Sequence, residues 1–118
     1  MTAPAELELR VVERSAEGGG VSVTLPEGFA GFRGHFPGEP VLPAMCHVEL
    51  ALRAAALLAG RPLVLTAVDR ARFPTPAGPG AELRMEVRLA AAAAGALRVE
   101  ASHRVHDSEV ARLTLTAR

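Results

Sequence analysis

Gly34-His35-Phe36-Pro37-Gly38-Glu39-Pro40-Val41-Leu42-Pro43-Ala44-Met45-Cys46-His47-Val48-Glu49, running on into the apolar stretch Leu50 to Ala59, decides how this chain is read. Glycines and prolines around His35 restrict the backbone, since proline fixes φ and glycine admits values other residues avoid. A side chain on such a turn is held in place. After Pro43 the composition changes to alanine and leucine, with no glycine or proline until Gly60 and Pro62, which predicts a helix. Pro43 suits its first position, where the missing N–H costs nothing.

The N–H groups of Ala44 and Met45 then fall in the first turn, without intrahelical acceptors, at the positive end of the helix dipole. They form a place to hold a partly negative oxygen. Glu49 follows about one and a half turns later. Its helical neighbours Val48, Leu50, Ala51, Leu52, Ala54, Ala55, Ala56, Leu57 and Leu58 are apolar on nearly every side. Such a helix is expected to be buried all round.

The pattern Gly34-His35-Phe36-Pro37-Gly38-x-Pro40-x-x-Pro43, with a glutamate fourteen positions after the histidine, closely resembles the signature of FabZ-type 3-hydroxyacyl-[acyl carrier protein] dehydratases. These form a branch of the hotdog-fold superfamily. Weaker similarity continues through Val68-Asp69-Arg70-Ala71-Arg72-Phe73 and Pro79-Gly80-Ala81-Glu82-Leu83. The resemblance implies loss of water from a 3-hydroxyacyl thioester, carried by acyl carrier protein or coenzyme A, to give the trans-2-enoyl thioester. It implies His35 as base, Glu49 as acid, and the Ala44 and Met45 N–H groups as donors to the thioester carbonyl. Phe36, Gly38, Pro43, Arg53 and Phe73 are the substrate-binding candidates. In the family the histidine of one subunit faces the glutamate of the other, so a homodimer with shared sites is implied, open to higher assembly. No cofactor or metal is called for.

The chemistry suits these residue types. Imidazole titrates near neutral pH and can take an α-proton. A carboxyl in apolar surroundings keeps its proton and can give it to the departing hydroxyl.

The rest of the chain fits one domain over residues 1–118, small for a cleft built inside one subunit. The formal charge is zero and no basic run is present, which argues against nucleic acid. All thirteen basic residues are arginine, and Arg33, Arg70 and Arg72 are candidates for a carrier-docking patch. A single cysteine, Cys46, cannot form an internal disulfide, which fits a cytoplasmic protein. The N-terminus has no signal pattern, and the longest apolar run is too short to span a membrane.

Before the helix, Leu7, Leu9 and Val11 alternate with charged residues, as do Val21, Val23 and Leu25 with Ser22 and Thr24. The two runs predict a hairpin, with Ser15 to Gly20 as a flexible turn and Phe29 to Phe32 as a short extended piece. Beyond the helix, Leu63, Leu65, Ala67, Ala71 and Phe73 fall on one face of a strand, followed by a Pro/Gly loop over residues 74–80. Leu83, Met85, Val87 and Leu89 alternate strictly with charged residues. Residues 90–94 are expected to extend that strand to a turn at Gly95. Leu97, Val99, Ala101, His103 and Val105 alternate again, and a last strand carries Leu113 and Leu115. The expected class is α+β, an antiparallel sheet wrapped around one long helix.

Bland roles compete with the sharp ones. His35 can brace its turn, and Glu49 can pair with Arg53 at i,i+4. His47 is expected to face away from Glu49, and Cys46 to be a packed, inert thiol. His103 and His106 fall on opposite faces, so a shared metal is not expected. Phe36 and Phe73 suit an acyl tunnel or a core. The chain departs from the family at Ala44, usually glycine, and at Arg53, usually glutamine, and it has no tyrosine. A positive charge beside Glu49 favours the carboxylate form. These departures suit a specialised fatty-acid or polyketide-type pathway. The alternatives are a hotdog thioesterase and a non-catalytic partner subunit.

Overall fold

The computed structural model describes residues 7–32 and 40–118. Its frame is a six-stranded antiparallel sheet and one long helix, the hotdog arrangement. In chain order the elements are β1 (Arg10–Ser15), β2 (Gly18–Thr24), α1 (Ala44–Ala59), β3 (Leu65–Arg72), β4 (Glu82–Ala91), β5 (Leu97–Val105) and β6 (Ser108–Ala117). The strands lie side by side in the order β1-β2-β4-β5-β6-β3. Strand alternation puts Val21, Val23, Leu83, Met85, Val99, Ala101, Leu113 and Leu115 on the inner face, all but fully buried. α1 packs Val48, Leu50, Ala51, Ala54 and Ala55 into that face. Burying a side chain such as Leu50 stabilises the fold by about 1.5–3 kcal/mol.

The helix ends as its sequence asks. Gly60 adopts φ 74°, and the N–H groups of Gly60 and Arg61 both reach the Ala56 carbonyl, at 2.9 and 3.3 Å. Its start differs by one residue from expectation. Pro43, with ψ 152°, is the N-cap and not the first helical residue. An extended ψ cannot belong to a helical turn, so Ala44 opens the helix.

The helix is also not buried all round. One side packs on the sheet, while Met45 is 57% and Leu57 43% exposed, and Glu49, Leu52 and Arg53 are half-buried. A single curved sheet covers one side of a helix; among the described residues the other side is left open.

Other boundaries moved for local reasons. β1 starts at Arg10, later than the alternation from Leu7 suggested, although Leu7 is buried. Ser15 to Gly20 is no long turn: only Ala16 and Glu17 separate the strands, and Gly18, Gly19 and Gly20 belong to β2. These glycines are needed by crowding. A Cβ on Gly18 would lie 2.0 Å from the Val87 carbonyl oxygen, and Gly19 holds φ 154° with no room beside the Glu13 carbonyl. Ala30–Phe32 is a 3-10 turn and not an extended piece; it lets Phe29 and Phe32 meet edge to face at 5.7 Å. β3 breaks its alternation at two irregularities, between Leu65 and Ala67 and between Val68 and Arg70, so its expected single apolar face is not kept. β4 stops at Ala91, and Ala93–Gly95 forms a 3-10 turn with Ala94 at φ 58°.

Candidate active site

The start of α1 brings together most of the described site candidates. Cys46 and His47 donate their N–H groups to the Pro43 carbonyl, at 3.0 and 3.3 Å. Ala44 and Met45, one step earlier, have no carbonyl in their own helix to reach. Among the described residues no side chain caps this end, since the N-cap is proline. The approach to the helix is fixed from outside, where the Leu42 N–H donates to the Ala77 carbonyl at 2.7 Å, hooking it to the Pro/Gly loop. Ala44 and Met45 are both exposed, so their side of the first turn is accessible.

Glu49 sits five residues beyond Ala44, about 7.5 Å along the axis at about 1.5 Å per residue. Helical side chains lean toward the N-terminus, which carries its carboxyl back toward the first turn. Cys46, one turn earlier, feels it: burial first and then the Glu49 charge push the Cys46 thiol up from its ordinary value, leaving it protonated. Arg53, one turn later, lines a groove with Leu7, Leu9, Ala56, Leu57 and Pro62. The described structure thus sets Arg53 toward the far half of the helix and the N-terminal segment.

His35, Phe36 and Gly38, as well as Arg33, lie outside the described residues. Arg70 and Arg72 are exposed on β3 and line a groove across the sheet's outer side with Arg112 and several carboxylates. His106 is exposed in the β5–β6 turn at φ 54°.

One pairing was missed in the sequence. His47 faces the sheet, as its distance from Glu49 on the helical wheel requires, and its Nδ1 lies 3.0 Å from Nδ1 of His103 on β5. Both rings are buried, at 2% and 0% exposure. Phe73, just past β3, packs its ring 5.5 Å from that of His47, so it covers that ring. His103 is flanked in the ladder by Met85 and Ala111, both fully buried. Burial in these apolar surroundings pulls His47 down to about 4; burial, and then the neighbouring His47, pull His103 down to about 3. Both rings are therefore neutral near pH 7. The one available signal was His103 on the apolar phase of a strand, since a buried imidazole calls for a hydrogen-bond partner.

Comparison with known proteins agrees with this architecture. Residues 12–111 match the family described as ApeI-like, ApeI dehydratase. The 3-hydroxyacyl-[acyl-carrier-protein] dehydratase FabZ of Rhizorhabdus wittichii is 33% identical, over 81% of this chain and 66% of that protein. The FabZ of Syntrophobacter fumaroxidans is 30% identical, over 92% of this chain and 79% of that protein. The chain thus spans just under two thirds of the length of the first of these relatives. Among solved structures, the dehydratase heterocomplex ApeI:P from Xenorhabdus doucetiae superposes with a TM-score of 0.69 at 18% identity, over 93% of this chain and 97% of that one. At that identity the likeness speaks for the fold.

Proposed function

Because this chain belongs to the ApeI-like dehydratase family, we propose that it removes water from a 3-hydroxyacyl thioester to give the trans-2-enoyl thioester. The observation that carries the reading is the placement of Glu49 on the open side of α1, just beyond a first turn in which the Ala44 and Met45 N–H groups have no carbonyl of their own helix to reach. In the proposed reaction His35 takes the α-proton. The electron pair moves toward the thioester carbonyl, whose growing negative charge is met by the Ala44 and Met45 N–H groups and the helix dipole. Glu49 protonates the C3 hydroxyl as the C3–O bond breaks, and water leaves. The proton count balances, since one proton goes to imidazole and one comes from the carboxyl.

The substrate is an acyl chain on acyl carrier protein or coenzyme A, with Arg33, Arg70 and Arg72 as the basic groups that meet the carrier. Phe36, Gly38, Pro43, Arg53 and Phe73 line its path. The assembly is a homodimer. Support comes from the apolar residues left outside the core, with Val64 62%, Val68 45% and Phe73 40% exposed along the β3 edge, and Met45 and Leu57 on the open helix side. Pairing β3 with its copy would continue the sheet and bring the open sides of the two helices toward each other. His35 of one copy would then reach Glu49 of the other. A cytoplasmic location is consistent with thioester substrates, and no helix among the described residues is long and apolar enough to cross a membrane.

The test is incubation of purified protein with a 3-hydroxyacyl thioester. Growth of enoyl absorbance supports the reading. Release of free thiol without enoyl product would assign a hotdog thioesterase, and neither product would assign a non-catalytic partner subunit.

A further inference from the structure

We propose that His103 is a positioning residue for this chemistry: through its hydrogen bond to His47 it fixes the first turn of α1, and with it the Ala44 and Met45 N–H groups, against the sheet. The inference rests on the dehydratase reading and adds a residue from the opposite side of the core.

The helix start has an unusual requirement. A Ser, Thr, Asp or Asn at the N-cap would anchor it, but the capping oxygen would occupy the N–H groups of the second or third residue. The second is Met45, one of the two groups wanted for a substrate oxygen. Pro43 offers no such oxygen, and no side chain among the described residues caps this end. Anchorage has to come from elsewhere, and the 3.0 Å contact between Nδ1 of His47 and Nδ1 of His103 provides it from beneath the turn. Phe73 covers the same ring from the side, and the Leu42 to Ala77 hydrogen bond holds the chain just before the helix.

The contact specifies protonation as well as position. Two Nδ1 atoms at this distance bond only if one carries a proton and the other a lone pair, so when both rings are neutral they are of opposite tautomer. The arrangement is costly in one respect. Nε2 of His103 is buried and has no partner among the described residues. A leucine at 103 would suit Met85 and Ala111 and remove the stranded Nε2, but it would leave Nδ1 of the buried His47 without this partner. A histidine there is explained by what its other nitrogen holds.

The experiment compares wild type with His103→Leu and His103→Asn. Asparagine places an amide near the position of Nδ1 and can keep the bond to His47; leucine cannot. With the acyl thioester, His103→Leu is expected to lower kcat by about tenfold or more while KM changes by less than about threefold, because displaced donors fail the transition state more than the ground state. His103→Asn should recover most of kcat. Equal kcat in wild type and the leucine variant, or equal losses in both variants, would overturn the proposal. In parallel, nitrogen-15 spectra of the wild-type imidazoles should show one proton coupled to Nδ1 of both rings. Absence of that coupling overturns the pairing whether or not the protein makes enoyl product; coupling without enoyl product would locate the failure in the dehydratase reading.

Discussion

His47 and Glu49 are two residues apart on one helix and live in opposite surroundings. His47 is pressed into the sheet against His103 and Phe73, is 2% exposed, and has lost the ordinary basicity of imidazole. Glu49, about 200° around the helix, stands half-buried on the side that the sheet leaves open. The difference shows how one α-helix can serve two purposes: its dry side packs on the sheet, and its open side is the one on which the proposed function places substrate and a second copy. A titratable residue on such a helix cannot be assigned a role from spacing to a motif alone; which side it faces decides.

The largest effect that would break this contrast is at the open side. Glu49→Gln keeps shape and removes the proposed proton donor, and enoyl formation should fall by about a thousandfold or more while the melting temperature stays close to wild type. Retained turnover would place the acid elsewhere.

On the dry side the expected effect is on stability against pH. The folded-state values of His47 and His103, about 4 and about 3, lie below the ordinary 6.5. The unfolded chain therefore takes up protons first as pH falls. The stability these rings contribute is complete above about pH 6.5 and is lost as pH drops toward 4 and then 3, by on the order of 3 kcal/mol for His47 alone. Chemical denaturation at a series of pH values should show this loss, and the double variant His47→Leu, His103→Leu should flatten the slope between pH 6.5 and 4. An unchanged slope would mean the pair is not buried and neutral.

A smaller effect is expected at the sheet edge. Val68→Asp puts a charge on the exposed apolar edge of β3 and should weaken self-association by about tenfold or more in sedimentation, with activity falling at low protein concentration. The smallest concerns Arg53. Arg53→Gln removes a positive charge one turn from Glu49 and should raise turnover by about two- to threefold. No change would mean that its charge is spent in the groove with Leu7, Leu9 and Leu57 and does not reach the acid.

Much of the fold could be read from residues alone because period and burial coincide. β4 and β5 alternate strictly, and their inner residues Leu83, Met85, Val99 and His103 are the ones buried. The helix was legible from composition and its closing Gly60. What escaped was decided by distant partners. Nothing local tells that Gly18 and Gly19 face carbonyls of Val87 and Glu13, nor that β3 slips register twice against β6. The openness of one side of α1 follows from how far a six-stranded sheet can curl. The pairing of His47 with His103 spans 56 residues of chain. Glu49, Ala44 and Met45 could be placed on their helix because Pro43 and the apolar run fix its start to within one residue.

The most direct test is complementation between two inactive variants. His35→Ala and Glu49→Ala, each dead alone, are unfolded together, refolded as a mixture and assayed with a 3-hydroxyacyl thioester. A mixed dimer has one site with both groups intact, so a statistical mixture should regain about a quarter of wild-type activity. No recovery, with mixed dimers demonstrated to be present, would contradict a site in which the acid on the open side of α1 works with a base from the partner copy.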